Sequence, residues 1–372
     1  MNFAVALKRF LPGPAPTEVA VADEDGRAPD IADAEGGAVA EYPLGLRFRA
    51  WWDGISIEEV LAADARRAAE AAQGEAPPEM AEILDLLPAA AEAEFDPFAW
   101  TAERIEINEM LFGDGEILPG GVARTIDLIG SFGLGQDTNV LQIGAGLGGP
   151  ARAIALEYQG WVTGYEASPE LAAAAMAANR VNAEVKDSGS GMKKSKAKVK
   201  LADKARIHQT DLETLTVKTN VYDCAFARET MHHVADKARL LAAIHAGLKG
   251  QGALMISDYF IAEGKSAGAG AQAWGAGGGE HVSPWTLAEA KAMLEKAGFD
   301  IRVIKDVTAE TRSDILRSFG GFVLSHKKGG IPARLIQPLL YLTEHWARRV
   351  ALIDAGVLNV HKLQAFKIGG GP

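Results

Sequence analysis

The 372-residue sequence predicts an α/β fold, an open and mainly parallel sheet with helices on both faces. Three observations predict it. Val140-Leu141-Gln142-Ile143 is a short apolar run, the pattern of a strand buried on both faces. Gly144, Gly146 and Gly149 follow in G-x-G-x-x-G spacing, Gly148 adds a fourth glycine, and Ala151 to Tyr158 then has helical spacing. Further strand-like and helical stretches alternate down the chain after that unit.

In chain order, residues 1–11, MNFAVALKRFL, are amphipathic. A short helix docked on the body is favoured over contact with a membrane surface. Residues 12–40 are rich in Pro, Gly, Ala, Asp and Glu and lack periodicity, so 1–40 reads as a flexible acidic segment. Residues 41–95 read as a small helical appendage, with helical patterns at Ile55–Ala72 and Met80–Glu94. A second copy of the chain is one partner such an appendage could bind. The main domain is read as 96–372. It opens with helical patterns at Trp100–Phe112 and Val122–Phe132, on either side of the glycine-containing segment 113–121.

Trp161–Tyr165 is the second strand, ending at Glu166, where a carboxylate can accept from both hydroxyls of a ribose. Ser168 is a good N-cap, with Pro169 at the first helical position. Residues 186–200 hold six lysines against one acid and read as a solvated loop. Ala205–Gln209 is the third strand. Asp211 at its tip can accept from an adenine amino group. Val221–Ala227 is the fourth strand, with Arg228 to His233 hanging from its end. Asp236 caps the next helix, and Gly250 and Gly252 form a turn before a fifth strand, Ala253–Asp258. The glycine-rich stretch 263–281 reads as a loose loop or a lid, with Trp274 as the residue that packs on closure. Thr286 and Glu289 have capping-box spacing. Ile301–Val307 is a sixth strand, 311–326 and 331–353 are helical, and Val360–Ile368 reads as an antiparallel edge strand.

Composition narrows the function. The chain has 49 acids and 38 bases, a net charge of −11. Residues 1–100 carry 20 of those acids and 7 of the bases, which argues against a nucleic-acid partner there. No apolar run approaches the roughly 20 residues that span a bilayer. No leader peptide is evident, and a single cysteine, Cys224, excludes an intramolecular disulfide and a cysteine-based metal cluster. The expectation is a cytoplasmic protein with no resident metal.

The glycine motif alone fits NAD, FAD and S-adenosylmethionine. The stretch YDCAFARETMHHVADKARLLAAIHAGLKGQGALMISDYF at 222–260 narrows the choice. With the glycine motif and Glu166, it resembles the class I S-adenosylmethionine-dependent methyltransferases over roughly 100–368. Within them it is most similar to the phosphoethanolamine N-methyltransferases and related small-amine enzymes. The shared pieces are MLFGDGEILPGG at 110–121, IGAGLGGPA at 143–151, ARETMHH at 227–233 and ISDYF at 256–260.

The resemblance implies a Rossmann-like seven-stranded sheet with the last strand antiparallel. It implies S-adenosylmethionine as methyl donor, S-adenosylhomocysteine as product and a small-molecule acceptor. It implies that Gly144, Ala145, Gly146 and Gly148 line the cofactor, that Glu166 binds its ribose, and that Asp211 and Leu212 address its adenine. Arg228 meets the methionine part through its backbone. His233 matches a catalytic histidine, Glu229 an acid beside the acceptor nitrogen, and Tyr259 a substrate-site tyrosine. Three positions depart from the pattern. Gln142 stands where the first strand usually has an acid facing the methionine end. Trp100 and Asn108 stand where the family has active-site tyrosines.

Methyl transfer from a sulfonium is an in-line displacement onto an already activated donor. The protein then contributes positioning and removal of a proton from the acceptor. Histidine, with a free pKa of about 6.5, suits that removal near neutrality. His233 is therefore the base candidate, and His232 a strand-end cap. Glu229 would attract a cationic acceptor or orient the histidine, and Tyr259 and Trp274 would face the cationic centre. The alternative is a cofactor-binding scaffold with a degenerate pocket.

Overall fold

The computed structural model describes residues 98–180, 182–184, 198–265, 281–326 and 331–369, with Glu59, Asp96 and Trp274. The expectations for 1–40, for 41–95 apart from Glu59, and for most of 263–281 lie outside the described residues. Two compact units divide the chain. One comprises Phe98–Ser318 and Val350–Pro372 and contains the large sheet; the other comprises Met1–Pro97 and Phe319–Arg349.

Strand β1, Asn139–Ile143, runs through the middle of the large sheet. It pairs in parallel with β2, Trp161–Glu166, on one side and with β6, Tyr222–Arg228, on the other. β5, Ala205–Gln209, extends the sheet beyond β2. On the far side β6 pairs with β7, Leu248–Ile261, which pairs antiparallel with β9, Leu358–Lys367. β9 also pairs antiparallel with β8, Phe299–Asp306. The order is β5-β2-β1-β6-β7-β9-β8, seven strands as the sequence predicts.

Alternate residues of β1 and β6 point to opposite faces, so both faces need cover. Leu141, Ile143, Ala225 and Ala227 pack with Leu240, Leu241 and Ile244 of α6, Lys237–Gly247, and with Leu294 of α7, Leu287–Lys296. Val140, Cys224 and Phe226 pack with Leu128 of α2, Gly121–Ile129, with Ala151 of α3, Gly149–Ala153, and with Ala175 of α4, Pro169–Ala178. Ahead of them, α1 is Ala102–Phe112; α5, Leu201–Lys204, follows the hairpin below. Two long helices, α8 at Thr308–His326 and α9 at Ile336–Asp354, precede β9. The predicted caps are in place. Ser168 Oγ accepts from the Leu171 N–H at 3.2 Å, Asp236 from the Arg239 N–H at 3.0 Å, and Thr286 with Glu289 forms a full capping box.

Four expectations are corrected. The last strand is not at an edge: β9 inserts between β7 and β8. Nine consecutive residue pairs join it to the long β7, and Val360, Leu363 and Ala365 are buried, which an edge would not achieve. The edge is β8 instead, with Val303 and Ile304 exposed. The Gly250–Gly252 turn lies inside β7 as an irregularity. Pairing jumps from Tyr222↔Leu248 to Cys224↔Ala253, and Gln251 takes φ 62° to absorb the extra residues. The lysine-rich stretch is not all loop, since β3, Asn182–Glu184, and β4, Lys198–Lys200, pair antiparallel as a hairpin of their own. Finally, the helix after the glycine turn is interrupted. α3 gives way to a π-helical turn at Ile154–Tyr158, which Gln159 ends in the left-handed region.

Candidate active site

The glycine turn is tied to the end of β2 by its own backbone. Gly144, Gly146 and Gly148 have φ of 70°, 53° and 77°, a region costly to other residues. The N–H groups of Gly144 and Ala145 donate to the Tyr165 carbonyl at 2.9 and 3.0 Å. The Gly146 N–H donates to Glu166 Oε2 at 2.7 Å, and the Ser168 N–H to Oε1 at 2.9 Å. Glu166 is buried, and burial raises its pKa against three backbone donors that hold it down. Three donors leave one of the carboxylate's roughly four acceptor sites open for a ribose hydroxyl. A Cβ on Gly144 would lie 2.2 Å from Thr230 Oγ1, so the turn and the end of β6 touch. Segment 113–121 closes over the turn, with the Gly149 N–H donating to the Gly115 carbonyl at 2.9 Å.

Asp211 is exposed at the tip of β5, where its Oδ1 accepts from the Glu213 N–H at 2.9 Å; Leu212 beside it is buried. Gln142 is buried in β1, and its Oε1 has no hydrogen-bond partner among the described residues. An orphaned acceptor there fits a donor-bearing ligand better than an empty core. Arg228 has a second task besides its backbone. Its guanidinium donates to Thr125 Oγ1 at 2.9 Å, to the Gly121 carbonyl at 3.2 Å and to the Pro119 carbonyl, and so holds the start of α2 against the strand end.

Beyond Arg228 the chain turns sharply. Glu229 has φ 49°, and its N–H donates to the Ser257 carbonyl at 2.7 Å. A left-handed non-glycine residue costs of order 1–3 kcal/mol and persists where surrounding contacts hold it. The buried Glu229 carboxylate lies 3.8 Å from Arg228 Nε. A 3-10 turn, Met231–His233, then presents two histidines in different settings. His233 is half-buried, and its Nδ1 lies 2.8 Å from the His281 carbonyl. A carbonyl only accepts, so Nδ1 carries a hydrogen, and Nε2 is the nitrogen that holds the lone pair in the neutral form of the ring.

His232 and Asp258 are both wholly buried and paired through Nδ1 and Oδ1. Asp258 also accepts from the His232 N–H at 2.9 Å and the Tyr259 N–H at 2.8 Å. Burial pushes its carboxyl up to about 6 against the pull of those donors, His233 and Lys237. The His232 ring lies 4.0 Å from that of His233, and Tyr259 meets it edge-on at 5.5 Å. Trp274 covers it at 5.4 Å and is itself 5% exposed, in line with a residue that packs. Tyr259 is fully buried beneath this group rather than open on a cleft.

Two acids escaped the sequence reading. Asp258 was visible only as the polar end of an apolar strand. Glu116 lies in segment 113–121 and is 4% exposed; burial pushes it up to about 7, with Arg228 as the chief opposing charge. Its one signal was an acid between a glycine and the apolar Ile117-Leu118. Trp100 and Asn108 are engaged locally. Arg104 lies 4.0 Å over the Trp100 ring, and Asn108 Nδ2 donates to the Arg104 carbonyl at 2.7 Å. Among the described residues, no group of three or more His, Cys, Asp or Glu could hold a metal ion. No described helix is long and apolar enough to cross a membrane.

Residues 115–303, just over half of the chain, match the family model described as a methyltransferase domain. The chain belongs to the methyltransferase-domain family. The chain is 30% identical over 165 residues to phosphoethanolamine N-methyltransferase 2 of Caenorhabditis elegans, a match covering 44% of this chain and 34% of that one. It is 28% identical over 206 residues to the phosphoethanolamine N-methyltransferase of Triticum aestivum, covering 55% and 35%. The match thus spans about a third of the length of these relatives. Among solved structures, phosphoethanolamine N-methyltransferase 2 of Haemonchus contortus, in complex with phosphomonomethylethanolamine and S-adenosylhomocysteine, superposes with a TM-score of 0.58. Identity is 23%, and the match covers 71% of this chain and 56% of that one. Together with the strand order, this likeness establishes a Rossmann-like methyltransferase fold.

Proposed function

We propose that the chain binds S-adenosylmethionine along the edge formed by the ends of β1, β2, β5 and β6, and transfers its methyl group to the nitrogen of a small-molecule amine. S-adenosylhomocysteine is the second product. The observation that carries this reading is the juxtaposition at one sheet edge of a glycine turn bonded to Glu166 and a histidine with its Nε2 lone pair available. The amine acceptor is further supported by the two relatives named as phosphoethanolamine N-methyltransferases.

The cofactor supplies an activated methyl group on a sulfonium. The residues do the rest. Glu166 receives a ribose hydroxyl, Asp211 and Leu212 flank the adenine, and Gly144, Ala145, Gly146 and Gly148 let the backbone approach the ligand. Gln142 and the backbone of Arg228 meet the methionine end. A protonated amine has no lone pair to attack with, so His233 Nε2 takes its proton; Nδ1–H, held by the His281 carbonyl, keeps the ring oriented. Glu229 attracts the cationic acceptor, and Tyr259, edge-on to His232, supports that ring from beneath rather than touching the acceptor.

A scaffold that binds the cofactor without turnover is the second reading. It is favoured by Gln142 and by Asn108, whose Nδ2 donates back to the Arg104 carbonyl of its own helix. Calorimetry with S-adenosylmethionine and S-adenosylhomocysteine, followed by mass spectrometry on a panel of amines, tests both. Binding with a methylated amine is the expected result. Binding with no product across the panel supports the scaffold, and no binding of either nucleoside overturns both.

The segmentation into 1–40, 41–95 and 96–372 is part of the same proposal, with 41–95 as the surface for a second copy. So is a cytoplasmic site of action, supported by a lone cysteine, Cys224, buried as a free thiol.

A further inference from the structure

Segment 113–121 carries a buried acid that the reaction above does not use. Gly115 N–H donates to Glu109 Oε1 at 2.9 Å, and Gly115 accepts from the Gly149 N–H, so the turn before Glu116 is fixed against the glycine motif. Ile117, the next residue, would stand 3.3 Å from a Cβ on Gly146. Glu116 is therefore held at the mouth of the glycine turn, 4% exposed, and its Oε1 meets no donor among the described residues. The charges around it are Arg228 from β6, Arg152 from α3 and Glu229, and the Ile117 N–H also donates to it. Arg228 does not fill the vacancy at Oε1, because its guanidinium donates to Pro119, Gly121 and Thr125.

A second orphan lies nearby. Gln142 pairs with Phe226 across the sheet, and residues two apart along a strand share a face. Gln142 and Arg228 therefore project from the same face, one step apart, and Glu116 is electrostatically coupled to that Arg228. Two buried acceptors in one neighbourhood, one of them an acid, are each destabilising when left without a donor. A ligand that answers both must bring several N–H donors and positive charge.

We propose that Glu116, with Gln142, receives an ammonium group of the bound ligand, the α-ammonium of the cofactor's amino-acid part being the occupant. This rests on the reading of the cleft as an S-adenosylmethionine site. It also accounts for the missing acid on β1: the amide of Gln142 accepts, and the charge comes from the segment that closes over the turn. Burial holds the Glu116 carboxyl near 7, so a neighbouring ammonium draws it into the ionised form, and a proton leaves as the ligand binds.

The test is calorimetry on the full chain and on Glu116→Gln, at pH 6 and pH 8. S-adenosylhomocysteine carries the ammonium, and 5′-methylthioadenosine is the same adenosine thioether without it. Wild type is expected to bind S-adenosylhomocysteine about tenfold tighter at pH 8 than at pH 6, with methylthioadenosine level between the two. Glu116→Gln is expected to lose on the order of tenfold in S-adenosylhomocysteine affinity at pH 8, and its pH dependence, while binding methylthioadenosine as before. Retained methylthioadenosine binding doubles as proof that the variant folds. An unchanged S-adenosylhomocysteine affinity, with loss of phosphoethanolamine or ethanolamine binding to the nucleoside-loaded protein, would assign the ammonium to the acceptor and overturn the cofactor as its source. Equal behaviour of variant and wild type toward every ligand, or equal weakening of both nucleosides, overturns the role of Glu116. Failure of wild type to bind either nucleoside instead overturns the cofactor site, and this inference with it.

Discussion

At the Gly144–Gly148 turn the contacts run through the backbone. Gly144, Ala145, Gly146 and Ser168 all donate main-chain N–H groups, the first two to the Tyr165 carbonyl and the last two to Glu166, the one side chain involved. At the Arg228–His233 turn the contacts run through side chains. Arg228 reaches α2, Asp258 grips His232, and His233 leans on the His281 carbonyl. The first region tolerates almost any residue that keeps its φ and leaves space. The second tolerates almost none, because each contact needs one functional group. The difference suits a common cofactor held by one half and a particular acceptor handled by the other.

The most severe way to break the backbone half is Gly144→Val. The new side chain meets Thr230 Oγ1 at 2.2 Å and must adopt a φ of 70°. Binding of S-adenosylhomocysteine is expected to vanish in calorimetry. Gly144→Ala combined with Thr230→Gly restores space but not φ, so partial recovery would separate clash from strain. Full binding by Gly144→Val would contradict the backbone account.

The matching change in the other half is His233→Ala. Turnover is expected to fall 10²- to 10⁴-fold, the usual contribution of a positioned base, at roughly unchanged S-adenosylhomocysteine affinity. Loss of affinity in parallel with turnover would mean that His233 belongs to the cofactor half after all.

How each half appears in the sequence follows from how it is built. Glycine spacing, the acid at the end of β2 and the caps Ser168, Asp236 and Thr286 are local signals, and the structure bears out the strands and capped helices they announced, though not an unbroken helix after the glycine turn. The position of β9 was not local. Its partner β7 lies about 100 residues upstream, and nothing in HKLQAFKI distinguishes an edge from an interior strand. The buried pair of His232 and Asp258 spans 26 residues and two strand ends, and Glu116 acquires its character only when segment 113–121 folds onto Arg228. A single acid in a sequence carries no mark of its burial.

Glu116 also links the two halves through stability. Its carboxyl is raised from 4.5 to about 7 by burial. A raised acid favours the folded state while protonated, so its contribution is full below about 4.5 and is lost as pH rises through about 7. The loss amounts to about 3 kcal/mol for the ligand-free chain. Urea unfolding at pH 5 and pH 8 is expected to reveal that loss in wild type and not in Glu116→Gln. Parallel pH curves for the two proteins would show that the carboxyl is not desolvated in the free chain.

The mildest change asks how far the cofactor half depends on backbone alone. Ser168 has two roles there: its N–H donates to Glu166, and its hydroxyl caps α4 through the Leu171 N–H. Ser168→Ala removes the second and keeps the first. Loss of such a cap costs about 1 kcal/mol of stability. Affinity for S-adenosylhomocysteine is expected to hold, because the N–H that orients Glu166 survives. A tenfold loss of affinity would mean that the hydroxyl, which also meets Glu170 at 2.8 Å, positions the acid as well, and that even this half of the site is partly written in side chains.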